Sequence, residues 1–169
     1  MKTKTLLFFT LPFLAGGLSA QPYGLSQSNW SQVPIDLIHA NAPADFDGFG
    51  ERVDVFGDYV VASSQTSGAV SVFMRTPNGF DWVQDLPVPA AGEGFGSSFE
   101  ISFDLIAVGA PLADSGRGAV YIFEQQGSTW QQVVRLTAPD RDAGDAFGLN
   151  LAMDGGLLAV AAPGEDGSD

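Results

Sequence analysis

Cysteine is absent from the 169-residue chain, and histidine occurs once, at His39. Without a His/Cys set, zinc chemistry has no ligands. A thiol nucleophile is excluded, and no disulfide can staple a small exported fold, so packing alone must hold it. Ser63, Ser64, Ser97 and Ser98 have no base near them in sequence. Positive charge is scarce as well: seven bases stand against 20 acids, net −13. Lys2 and Lys4 are the only lysines, so the chain beyond residue 20 carries five arginines and every acid, net −15. That charge disfavours nucleic acid and anionic membrane and favours cations or basic surfaces. No segment past the N-terminus shows a helical period.

What is present begins with an export signal. Lys2 and Lys4 precede an apolar run, Leu6–Leu14, and small residues lead to Ser19-Ala20. The run is shorter than the roughly 20 residues of a membrane span. Residues 1–20 therefore read as a signal peptide cleaved near Ala20, although Leu18 is bulky for such a site. The mature chain is expected to be secreted, extracellular or periplasmic, with no membrane span. Residues 21–29 read as a flexible tail.

The rest is a repeat. Phe49-Gly50 precedes Ser64-Gln65, Phe95-Gly96 precedes Ala110-Pro111, and Phe147-Gly148 precedes Ala162-Pro163, each time with 15 residues from the Phe to the second pair. The Phe residues are 46 and 52 apart. A fixed inner spacing inside a drifting period marks repeated units with variable loops. The middle copy predicts four strands: 97–102, 105–110, 119–124 and 129–137. The first predicts 51–55, 59–63, 69–75 and 80–86, and the third predicts 149–153 and 157–162. Short turns at Phe56-Gly57-Asp58, Phe103-Asp104 and Asp154-Gly155-Gly156 join strands one and two. Phe103 stands where the first copy has Gly57, which predicts another turn type or strain. Trp30, Trp82 and Trp130 recur in the last strand of each unit, a pattern of packing between units, with carbohydrate stacking as the alternative. The Trp30 strand has no earlier strands of its own, and Pro34 places it at an edge. Four short antiparallel strands per unit make a propeller blade. The expected fold is all-β: a partial β-propeller of about two and a half four-stranded blades. Residues 30–44 hold the outer strand of an incomplete blade; 45–90, 91–140 and 141–169 hold the first, second and truncated third.

Phe95-Gly96, Val108-Gly109-Ala110-Pro111 and Gly118–Phe123 resemble the FG-GAP repeat of integrin α-subunit propellers and of many secreted bacterial proteins. The resemblance extends over residues 30–169. It is strong in the middle copy, clear in the third, and degenerate in the first, where Ala62-Ser63-Ser64-Gln65 replaces the Gly-Ala-Pro element. It implies a propeller that binds proteins or glycans and is seldom catalytic. Integrin-type repeats often carry a Ca²⁺ loop between strands one and two. Here those connections leave no room for the ligands Ca²⁺ needs, so the family's calcium site is carried over to no residue and no cofactor is expected, with Ca²⁺ possible only outside such loops. The incomplete third unit implies a fragment, with the remaining blades downstream.

Strand alternation sends the strand two–three loops and the blade-to-blade connections to one face. They carry Asp45, Asp47, Glu93, Asp114, Asp140, Asp142, Asp145, Glu165, Asp166 and Asp169 against Arg117 and Arg141. The functional reading is a non-enzymatic module whose acidic face binds a protein or glycan ligand or mediates adhesion. Loops also collect Asp because Asp suits turns. Asp140-x-Asp142-x-x-Asp145 is the densest cluster; it could contribute carboxylates to Ca²⁺, but it matches no full loop motif. Two alternatives stay open: a carbohydrate-active propeller using paired carboxylates, and a purely structural module of a larger surface protein.

Overall fold

Alternating apolar residues broken by Gly, Asp and Asn every few positions dictate short strands joined by tight turns. The computed structural model of the chain describes residues 6–9, 35–38, 48–64 and 67–165. Strand β1 (Leu6–Phe9) pairs antiparallel with β2 (Ile35–Ile38). The first blade is β3 (Phe49–Phe56), β4 (Tyr59–Ser64), β5 (Ala69–Thr76) and β6 (Gly79–Asp85), in that spatial order. The second repeats the order with β7 (Ser98–Ser102), β8 (Leu105–Ala110), β9 (Ala119–Gln126) and β10 (Thr129–Leu136). The third contributes β11 (Asn150–Asp154) and β12 (Leu157–Ala161). All ladders are antiparallel. The sheets do not close, as expected of a partial propeller.

The segment expected as an outer blade strand supplies β2, and its partner is a piece of the apolar N-terminal run rather than a blade. Among the described residues β2 has no inner strands of its own, and it pairs with β1 instead. Ile38 is buried with Phe49, Val60, Ala62 and Phe73 against the outer side of the first blade.

The main core lies between the first two blades. Val61, Val70, Val72 and Leu86 meet Phe95, Phe99, Ile106, Val108 and Phe123. β8 is buried along nearly its whole length because a sheet covers each of its faces. Trp130 is 1% exposed and stacks edge-on against Tyr59, with ring centroids 5.6 Å apart. Gln84 clamps the outer strands together: its Oε1 accepts from the Trp130 N–H at 2.8 Å, and its Nε2 donates to the Trp130 carbonyl at 2.9 Å. Packing between blades is therefore the role of Trp130. Trp82, whose counterpart of that neighbour is missing among the described residues, is 43% exposed.

The Phe-Gly and Gly-Ala-Pro elements touch across blades. Within a blade the Gly96 N–H donates to the Gly109 carbonyl at 3.0 Å. From the next blade, the Gly148 carbonyl accepts from the Ser98 hydroxyl at 2.7 Å and lies over Gly109, where any Cβ would collide with it. Gly109 is glycine because the next blade's backbone occupies its side-chain position.

Candidate functional site

The antiparallel order places the β4–β5 and β8–β9 loops on the same face as the connections that lead into β7 and β11. The blade-to-blade connections dock on the loops. Leu112 N–H donates to the Glu93 carbonyl at 2.9 Å, and the Gly144 and Ala146 N–H groups donate to the Gly116 carbonyl at 3.2 and 2.9 Å. Gly118 and Phe147 form a parallel bridge. Asp114 and Ser115 take φ values of 51° and 66°, so the β8–β9 loop turns tightly enough to receive the connection.

The acids expected on this face have three fates among the described residues. Glu93 and Asp114 belong to a polar network. The Tyr121 hydroxyl donates to Glu93 at 2.9 Å and accepts from the Arg135 Nε at 3.2 Å. Asp114 Oδ2 accepts from Arg135 at 2.9 Å and from Arg141 at 3.0 Å. The Arg135 hydrogen bond, then the charges of Arg135 and Arg141, hold the Asp114 carboxyl below the usual range. Burial pushes the Tyr121 hydroxyl up, against the opposing pull of Arg135. Asp145, by contrast, is 3% exposed, and its carboxylate accepts the Asp142 N–H. It is a turn-stabilising group inside its loop, which removes it from the expected docking surface. Asp140, Asp142 and Glu165 are exposed. Asp45, Asp47, Asp166 and Asp169 lie outside the described residues, as does His39. Among the described residues no three His, Cys, Asp or Glu side chains gather to hold a metal, and no helix is long and apolar enough to cross a membrane. The described turns between strands one and two, Gly57-Asp58, Phe103-Asp104 and Gly155-Gly156, are each two residues long.

A cleft of about 620 Å³ opens on the same face where the first and second blades meet. Its walls include Arg52, Ser63, Gly96 and Ser97, with Leu112 and Leu149 at the rim.

With repeated blades, cross-blade Phe-Gly docking and loop-on-connection contacts established, the comparison with known families is decisive. The family model described as the FG-GAP repeat matches residues 88–123 and 130–169. The chain carries FG-GAP repeats. The two FG-GAP matches include the Phe95-Gly96 and Phe147-Gly148 units, and the degenerate Phe49-Gly50 unit lies outside them. No curated protein matches the chain.

Sequence reasoning about this FG-GAP chain missed several residues that the site uses. Arg135 was read only as a strand residue, and it neutralises Asp114 from the far end of β10. Asp54 and Glu100 were not singled out, yet each reaches from an inner strand to the next blade. Asp54 Oδ2 accepts the Ile101 N–H at 2.8 Å, and Glu100 accepts the Met153 N–H. Arg52 and Ser63 were also passed over. Superposing the copies on Phe-Gly would have marked them: Arg52 aligns with Ser98 and Asn150, and Ser63 with Gly109 and Ala161.

Proposed function

We propose that this FG-GAP chain is an exported, non-enzymatic binding module that docks a basic protein or glycan surface through its connection face. The repeat marks a propeller module of the integrin-α type, a family that is generally non-enzymatic. One observation carries the docking reading. The face keeps Asp140, Asp142 and Glu165 exposed while two of its arginines, Arg135 and Arg141, are tied to Asp114. The outward charge of that face is therefore negative, and it steers positive partners. The N-terminal apolar run supports export.

The test is a salt titration of binding to an immobilised lysine-rich protein and to a glycan panel. The expected result is binding that weakens from low salt to physiological salt and falls about tenfold in an Asp140→Lys/Asp142→Lys double variant. Binding indifferent to both salt and charge reversal would remove the connection face from the proposal.

A further inference from the structure

The cleft is where the first FG-GAP unit departs from the other two. In the second blade Ser98 pairs with Gly109 across the β7–β8 ladder, and together they seat the Gly148 carbonyl of the third blade. The equivalent pair in the first blade is Arg52 and Ser63. There the β3–β4 ladder breaks between Phe49 and Val53, so the Arg52–Ser63 step is a bulge or irregularity rather than a ladder pair. Such irregularities re-aim side chains beside binding sites. Ser63 carries a Cβ where Gly109 has none, and Gly96 packs beside Val70 and Ser63 as Gly148 packs beside Val120 and Gly109. The cleft opens beside this contact, with Arg52, Ser63, Gly96 and Ser97 in its lining.

Two polar groups in its wall are uncommitted. Arg52 has no ion pair or hydrogen bond among the described residues, whereas Arg75, Arg135 and Arg141 are paired with aspartates. Ser63 is 4% exposed and lines the cleft, yet its hydroxyl has no hydrogen-bond partner among the described residues. The hydroxyl donor of this cleft-lining residue is therefore available to a ligand atom. Val88, Leu112 and Leu149, all exposed, form an apolar rim around these groups.

We infer that the first blade junction is a binding cleft for a single carboxylate attached to an apolar group, with Arg52 as the charge partner and the Ser63 hydroxyl as a second donor. A fork of guanidinium donors suits a carboxylate, and the rim suits an apolar body beside it. One carboxylate matches one free cation; a polyanion would meet the negative field of the surrounding loops. A peptide C-terminus and an acidic side chain next to an apolar residue share this chemistry. The inference goes beyond the acidic docking face, and the two fail separately, because charge reversal at Asp140 and Asp142 leaves the cleft intact.

The test is a nitrogen–proton NMR titration of the full chain with N-acetyl-leucine, its neutral amide, acetate, and a leucyl-aspartyl dipeptide blocked at both ends. N-acetyl-leucine and the blocked dipeptide represent the C-terminal and side-chain sources; shifts at residues 52, 63 and 94–97 with either carboxylate support the site. The amide and acetate are expected to bind at least about tenfold more weakly. Arg52→Gln is expected to lower affinity about tenfold or more, and Glu51→Gln, which removes a neighbouring negative charge from the cleft wall, to raise it. A gain of affinity in the second variant cannot come from misfolding. Equal binding of the acid and its amide, affinity unchanged by Arg52→Gln in a folded variant, or glucuronate binding tighter than N-acetyl-leucine would overturn the inference.

Discussion

Phe103 holds a backbone conformation that its counterparts leave to glycine. Its φ is 53°, beside 60° at Gly57 and 58° at Gly155, so the three hairpins share one geometry at this position. Of the two expected outcomes, another turn type or strain, the structure takes strain. Holding a bulky residue there costs about 1–3 kcal/mol. The Phe103 ring lies 4.9 Å from the Phe56 ring across the blade junction, a contact worth about 0.5–1.5 kcal/mol. Phe103→Gly relieves strain but loses that contact and loosens the unfolded chain, so in the native background it should shift stability by less than about 1 kcal/mol. In a Phe56→Ala background the contact is already gone, and the same change should stabilise by about 1 kcal/mol. Urea denaturation of the four proteins checks this. Destabilisation by Phe103→Gly in both backgrounds would show that the turn is unstrained.

Among elements, the inner strands carry a device that neither propensity nor pattern announces. Asp54 on β3 caps a backbone N–H of β7, and Glu100 on β7 caps one of β11, so each acid covers the open edge of the next inner strand. Ala152 occupies the same position in the third unit. Burial first, then the charge of Asp54, raises the Glu100 pKa, partly offset by the Met153 N–H. A raised folded-state pKa means stability fully present below the unfolded value of 4.5 and lost as pH climbs through the folded value. At neutral pH burial and the Asp54 charge therefore oppose the ionised Glu100 more than the Met153 N–H favours it. Glu100→Gln keeps the acceptor and removes the charge. It should raise the melting temperature at pH 7 and leave it unchanged near pH 3. An equal gain at both pH values, or a loss at pH 7, would show that ionisation is not the cause.

The same scale explains what the sequence made legible. Strand positions followed to within a residue or two, because alternation and turn residues are local signals and β4, β8 and β9 carry them without conflict. Contacts between blades were not legible. They depend on how one strand's register meets the next, which is why Asp145 read as a surface acid and proved to be buried, and why the reach of Arg135 to Asp114 had no local sign. The fate of Arg52 and Ser63 was half visible: the degenerate copy was evident, but not that both residues line a cleft.

At the scale of the whole molecule, the third unit leaves a surface like those the other blades bury. β8 is covered on both faces, while its equivalent β12 alternates exposed and half-buried positions, and Leu157 is 73% exposed. The outer edge of β12 has no strand partner among the described residues, whereas β4 pairs β5 and β8 pairs β9 at the matching position. Open apolar edges template pairing with another chain, and a repeat face without a cap is poorly soluble. A net charge of −13 opposes close approach but supplies no hydrogen-bond partners for that edge. The chain is therefore expected to associate at micromolar concentration, with β12 at the contact. Sedimentation velocity across a concentration series should show oligomers that shrink toward monomer in Leu157→Lys, since a lysine on the edge strand repels a second copy and denies it an apolar contact. Salt should strengthen association in both proteins by screening the shared negative charge. A strictly monomeric chain with a sharp two-state melt would show that the β12 edge is satisfied without a partner and that two and a half blades form a complete folding unit.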